Sequence, residues 1–200
     1  MSPPASSASV AYPTVPDLVQ YPHPVLRKRA AEVTVFDDAL REFCARMFTV
    51  MDEHNGVGLA APQVAVSQRI FVTDHVRKKD DPEVRDRRVW INPRIERPDG
   101  STIYEEGCLS FPGIYAKVAR HNRFTIVAQN EWGAERRLDL DVEAGDFLGI
   151  VVQHELDHLD GRVFVELLTS AQVSLIRKKL KDLEDEYRAA YGRAGSVLRR

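Results

Sequence analysis

The sequence predicts an α+β fold: small antiparallel β-sheets packed around a central helix that carries a His-Glu-x-x-His motif, with a further helix near the C-terminus. Three observations predict it. Residues 38–54, DALREFCARMFTVMDEH, place Leu40, Phe43, Met47, Val50 and Met51 at helical spacing. Between residues 69 and 142 the chain breaks into β-branched or aromatic runs, RIFVTD, RRVWINPRI, RFTIVAQN and RRLDLDV, separated by Pro, Gly and Asn. From Asp146 onward FLGIVVQHELDHL is apolar on most sides, as a buried helix is, and it ends at Gly161.

Taken in order, the opening MSPPASSASVAYPTVP, residues 1–16, is expected to be a flexible extension. It lacks the charged-then-apolar pattern of a secretory signal and the arginines of a mitochondrial transit peptide. Residues 17–190 are expected to form one catalytic domain with one sizeable core, and residues 191–200 a polar tail. The first helix should stop at Asn55-Gly56. Next comes GVGLAAPQ, Gly56 to Gln63, a loop of small residues that lets a backbone or ligand approach closely. It has neither the Lys-Ser/Thr of a phosphate loop nor dinucleotide spacing, so Gln63 is its functional candidate, a neutral donor for a carbonyl oxygen. Cys108 lies in EEGCLSFPG, a stretch suited to a tight turn at a strand edge. The last helix, AQVSLIRKKLKDLEDEYRAAY, gathers Val173, Ile176, Leu180, Leu183 and Tyr187 on one face.

Composition excludes several classes. A net charge of −2 and a pI near 6.3 give no general reason to bind nucleic acid or an anionic membrane. No window approaches the ~20 consecutive apolar residues of a membrane span. A domain of this size does not require a disulfide between its two cysteines, Cys44 and Cys108, so a reducing cytoplasm is the expected compartment.

The stretch QHELDHLDG, residues 153–161, carries the strongest chemistry. On a helix, positions i and i+4 lie about 40° apart around the axis, so His154 and His158 reach one cation together. Glu155 points about 100° away, which suits a general base beside a bound water better than a ligand. The bland alternative is two histidines and a glutamate meeting by chance on an ordinary helix. A catalytic site needs a third protein ligand, with one position left open for water. Glu166 and Cys108 compete for that place, against the ordinary expectation that a free cysteine such as Cys108 or Cys44 is a small buried hydrophobe. Asp157 and Asp160 either support a ligand or solvate the helix end.

Three stretches in order, GVGLAAPQ, EEGCLS and QHELDH, resemble the motifs of the peptide deformylases. The resemblance covers about residues 17–168 and includes YPHPVLRKRA at residues 21–30. It implies hydrolytic removal of the formyl group from N-formylmethionyl nascent polypeptides at a Cys-His-His metal site. The implied ligands are Cys108, His154 and His158, holding Fe(II) first of all, with Zn, Ni or Co as compatible ions. It further implies an oxyanion site of Gln63 and the Leu109 N–H, proton transfer by Glu155 and a substrate hydrogen bond at Gly58. Val57, Ile150 and Val151 would line the methionine pocket. The chain departs from the family at Ile114-Tyr115, where many members carry arginine, which bears on how substrate is held beyond methionine. Two other readings use the same residues. A zinc endopeptidase would use the helix but leave EGCLS and Gln63 without a role. A catalytically silent ribosome-binding protein would use Arg177, Lys178, Lys179 and Lys181, whose simpler explanation is a solvated helix face.

Overall fold

The structure, a computed structural model, describes residues 11–14, 17–75, 84–195 and 198. Helix α1 spans Asp38–Glu53 and is capped by Asp37, whose side chain accepts from the Leu40 N–H at 2.9 Å. Its apolar face, Leu40, Phe43, Cys44, Met47, Val50 and Met51, is buried, as the spacing predicts. It ends where expected: Asn55 adopts φ 55° and the Gly56 N–H closes onto the Met51 carbonyl at 2.8 Å.

Seven strands follow: β1 (Gly58–Ala60), β2 (Ile70–Asp74), β3 (Arg87–Asp99), β4 (Thr102–Cys108), β5 (Phe111–Arg120), β6 (Arg123–Gln129) and β7 (Glu135–Asp141). Then come α2 (Phe147–Leu159) and α3 (Ser170–Tyr191). All named strands pair antiparallel, five in the order β1-β2-β3-β6-β7 and two, β4-β5, as a separate hairpin. The predicted α+β class is therefore the observed one.

The large sheet is covered on both faces at β2, where all five residues of IFVTD are buried and the first three are apolar. Alternate residues of β2 part company: Ile70 and Val72 pack with Leu40, Phe43, Met47 and Met51 of α1, while Phe71 joins Trp90, Leu148, Val152 and Leu159 on the α2 side. A third cluster joins Phe111, Ile114 and Val118 of β5 to Phe164 and to Ile176, Leu180 and Leu183 of α3. Helix α2 thus runs between the sheet and the hairpin. Its motif is placed between them by apolar packing on the sheet side and by polar contacts to the hairpin.

Three features depart from expectation. GVGLAAPQ is not all loop: Gly58–Ala60 is an edge strand, with Gly58 opposite Thr73, and Ala61–Val64 is a 3-10 turn. Its pairing is made by backbone, so its side chains carry no strand signal. The β4–β5 hairpin escapes prediction because most of β4 is exposed and shows no apolar alternation. Strand β3 continues beyond the expected RRVWINPRI run to Asp99, and Pro93 within it falls in a register shift between Ile91 and Arg94 where the ladder needs no N–H.

Of the extension expected over residues 1–16, residues 1–10 and 15–16 lie outside the described ones. Within it Tyr12 is held, stacked on Phe43 at 4.6 Å and donating to Gln68 Oε1 at 2.6 Å. In the expected tail, residues 196, 197, 199 and 200 lie outside the described ones. Among the described residues no helix is long and apolar enough to cross a membrane.

Candidate metal centre and active site

Strand β4 delivers Cys108 and helix α2 delivers His154 and His158, and one ligand atom of each lies within 4.8 Å of the others. Cys108 Sγ stands 3.3 Å from His158 Nε2. A register shift between Gly107 and Cys108, just before the Leu109–Ser110 turn, re-aims the cysteine out of the regular ladder. Glu166, the competing third ligand, lies elsewhere: it pairs with Arg27 and accepts from the Val163 N–H at 3.1 Å.

The histidines are held differently. His154 Nδ1 meets Glu106 Oε2 at 2.9 Å, which fixes that nitrogen as the donor and leaves Nε2 for the centre. Glu106 is itself gripped at both oxygens by Arg120, from Nε at 2.6 Å and NH2 at 2.8 Å, and Arg120 NH1 reaches Asp157 Oδ2 at 2.6 Å. Burial alone would raise the Glu106 pKa, but the Arg120 and His154 hydrogen bonds outweigh it and hold the carboxyl at about 2. Asp157 is therefore part of this buried network, whereas Asp160 pairs with Arg69 at 2.8 Å beyond the helix end. Sequence reasoning missed Glu106 and Arg120. Neither carries a signal in the sequence, because the β4–β5 hairpin that brings both to His154 is itself not legible there.

The donor set fits a divalent cation. Burial, then repulsion from His154 and Arg120, holds His158 well below the usual imidazole range, so it stays neutral with a lone pair available. Burial also works against a charged His154, yet the Cys108 sulfur and the Glu106 hydrogen bond outweigh it and raise its proton affinity. Groups that favour a proton there favour a metal in its place. His158 differs in having its Nδ1 buried with no hydrogen-bond partner among the described residues, while its Nε2 faces the Cys108 sulfur.

Glu155 does not join the ligands. It is 4% exposed, its Oε2 has no partner among the described residues, and burial pushes its carboxyl up to about 7, against the attraction of His154. Strand β1 lies directly on it: a Cβ at Gly58 would come within 2.5 Å of Glu155 Oε1 and 2.7 Å of Val151 Cγ1, so only glycine fits. Gln63, 1% exposed, sits at the inner wall. A cavity of about 450 Å³ is lined by Val57, Gly58, Gln63, Leu109, Ile150, Val151 and Glu155, together with Cys108 and His154. All the candidate site residues thus surround one cavity or back onto it. At the Ile114-Tyr115 departure, Ile114 is buried in the hairpin core while Tyr115 is 67% exposed at the cavity mouth. Cys44 is remote, in the α1 core, where burial raises its thiol to about 12.

Comparison with known proteins shows the family to which the chain belongs. The family model for polypeptide deformylase matches residues 15–174. The peptide deformylase of Chromobacterium violaceum is 44% identical over 170 residues, 85% of this chain and 96% of that protein. That of Neisseria meningitidis is 46% identical over 165 residues, 82% of this chain and 93% of the relative. Among solved structures, a plant peptide deformylase superposes with a TM-score of 0.87 at 32% identity, covering 95% of this chain and 100% of that one. The Plasmodium falciparum peptide deformylase gives a TM-score of 0.79 at 37% identity, covering 88% and 99%. With the family model matching residues 15–174 and relatives matching along most of the chain, this protein belongs to the polypeptide deformylase family, metal-dependent hydrolases that act on nascent formylated polypeptides.

Proposed function

We propose that Cys108, His154 and His158 hold the catalytic cation, Fe(II) foremost, and that Glu155, Gln63 and Leu109 perform the proton transfer and oxyanion stabilisation of deformylation. The observation that carries this is the convergence of one sulfur and two imidazoles within 4.8 Å, beside a buried carboxyl with a pKa of about 7. A thiolate with two neutral imidazoles leaves a bound dication a net charge of about +1, which favours an anionic oxygen. Zn, Ni and Co satisfy the same donors, and the choice of Fe(II) rests on the family resemblance.

A cation held there by Cys108, His154 and His158 would supply Lewis acidity and would lower the pKa of the attacking water towards about 7. Glu155 accepts the proton of the attacking water as the oxygen adds to the formyl carbon. Negative charge then develops on the formyl oxygen, where the Gln63 amide and the Leu109 N–H serve as donors. As the C–N bond breaks, Glu155 returns its proton to the leaving amine and formate departs. The Gly58 backbone holds the substrate by a hydrogen bond from the edge strand, and Val57, Ile150 and Val151 receive the methionine side chain. We place the reaction in the cytoplasm, where nascent chains emerge, with Arg177, Lys178, Lys179 and Lys181, exposed on α3, as the solvated face open to ribosome contact.

The test is Glu155→Gln, read by formate release from a formyl-Met peptide alongside elemental analysis. Metal occupancy should stay near that of the unaltered protein while turnover falls about 10²–10⁴-fold. Recovery of the variant without metal would make Glu155 a ligand or a structural residue and end the assignment.

A further inference from the structure

The Gln63 amide is the start of a hydrogen-bond chain that the motif spacing does not announce. Its Oε1 accepts from the Ala60 N–H at 2.8 Å. Its Nε2 donates to Ser110 Oγ at 3.3 Å and to Cys108 Sγ, at the cavity wall, at 3.5 Å. Ser110 Oγ in turn donates to the Val19 carbonyl at 2.9 Å. The backbone ties the same residues together: the Val19 N–H donates to the Gln63 carbonyl at 2.8 Å and the Tyr21 N–H to the Ser110 carbonyl at 2.9 Å. Ser110 is 0% exposed, so bulk water does not compete for its hydroxyl.

A glutamine amide can turn over about its last torsion, exchanging oxygen for NH₂. Here each end meets a partner with a single role. The Ala60 N–H can only donate and so takes Oε1. The Ser110 hydroxyl has its one hydrogen committed to Val19, so it offers Nε2 only a lone pair. A reversed amide would set donor against donor at Ala60 and acceptor against acceptor at Ser110, two buried conflicts in place of two bonds. One Nε2 hydrogen is thereby fixed on Ser110, and the other is left on the side of Cys108 and the cavity.

We propose that Ser110 is a positioning residue for the reaction: it locks the Gln63 side chain in the orientation that presents an N–H to the developing oxyanion. This rests on the reading of Gln63 as an oxyanion donor, and the test separates the two. Gln63→Ala should lower kcat about 10²–10³-fold. Ser110→Ala should lower kcat about 10–100-fold with KM within about twofold, because the donor is loosened and not removed. In a Gln63→Ala background, Ser110→Ala should cost less than about twofold more, because there is nothing left for it to orient. Metal content should be unchanged in all three proteins. Normal kcat in Ser110→Ala beside an impaired Gln63→Ala would overturn the inference, as would losses that multiply in the double variant or loss of metal from Ser110→Ala. A Gln63→Ala protein with normal kcat would instead remove the oxyanion reading, and Ser110 would lose its role with it. Should Ser110→Ala not fold, Ser110→Cys, close in size and a weaker acceptor, takes its place in the same cycle with the same outcomes.

Discussion

The two cysteines have opposite fates because of where they sit. Cys108 ends a strand at the cavity wall, half-buried and 3.3 Å from His158 Nε2, whereas Cys44 is closed into the α1 core with its thiol raised to about 12. A group with its pKa that far above ambient stays protonated and unreactive at neutral pH. Alkylation of the native, chelator-treated protein at pH 7.5 should therefore modify Cys108 and spare Cys44, as read by peptide mass. Cys108→Ser should lose metal and activity, and Cys44→Ser should keep both. Modification of Cys44 at the same rate as Cys108 would contradict the burial argument. Both assignments were legible as alternatives in the sequence: the helical spacing gave Cys44 its core position, and the Gly- and Pro-bounded turn set Cys108 apart.

Between elements, the centre depends on an ion-pair network that fastens the hairpin to helix α2. Glu106 of β4 holds His154 by Nδ1, Arg120 of β5 grips Glu106, and Asp157 of α2 closes the network. Partners that orient a metal-bound histidine typically affect affinity 10–100-fold. Glu106→Gln should accordingly weaken metal binding by about that factor, measured by competition with a chromophoric chelator. Unchanged affinity would mean that packing alone orients the ring. The network was not legible in advance because its members come from three elements whose juxtaposition follows from tertiary packing. The helices were legible through their apolar period. Strand β1 was not, since it pairs through backbone and Gly58, with no Cβ, serves close approach to α2 and carries no strand signal.

For the whole molecule, strand β1, the β4–β5 hairpin and helix α2 converge on one reactive centre, and the identity of its metal bears on how activity is lost in air. Iron with a thiolate ligand is open to oxidation by air, at the metal or at Cys108, while nickel in the same donors is less so. The iron-loaded protein should lose activity in air faster than the nickel-loaded protein, and equal decay would count against Fe(II) as the native ion. Membership of the family was legible because three motifs fall in order along the chain. The depth of the cavity and the aromatic mouth around Tyr115 were not, since both arise where the hairpin folds over α2. The most direct test incubates the metal-loaded protein with matched formyl-Met and acetyl-Met peptides and an unstructured protein, with products identified by mass. Formate should be released from the formyl peptide much faster than acetate from its acetyl counterpart, with the unstructured protein left intact; cleavage within that protein while formyl peptides stay untouched would contradict the account.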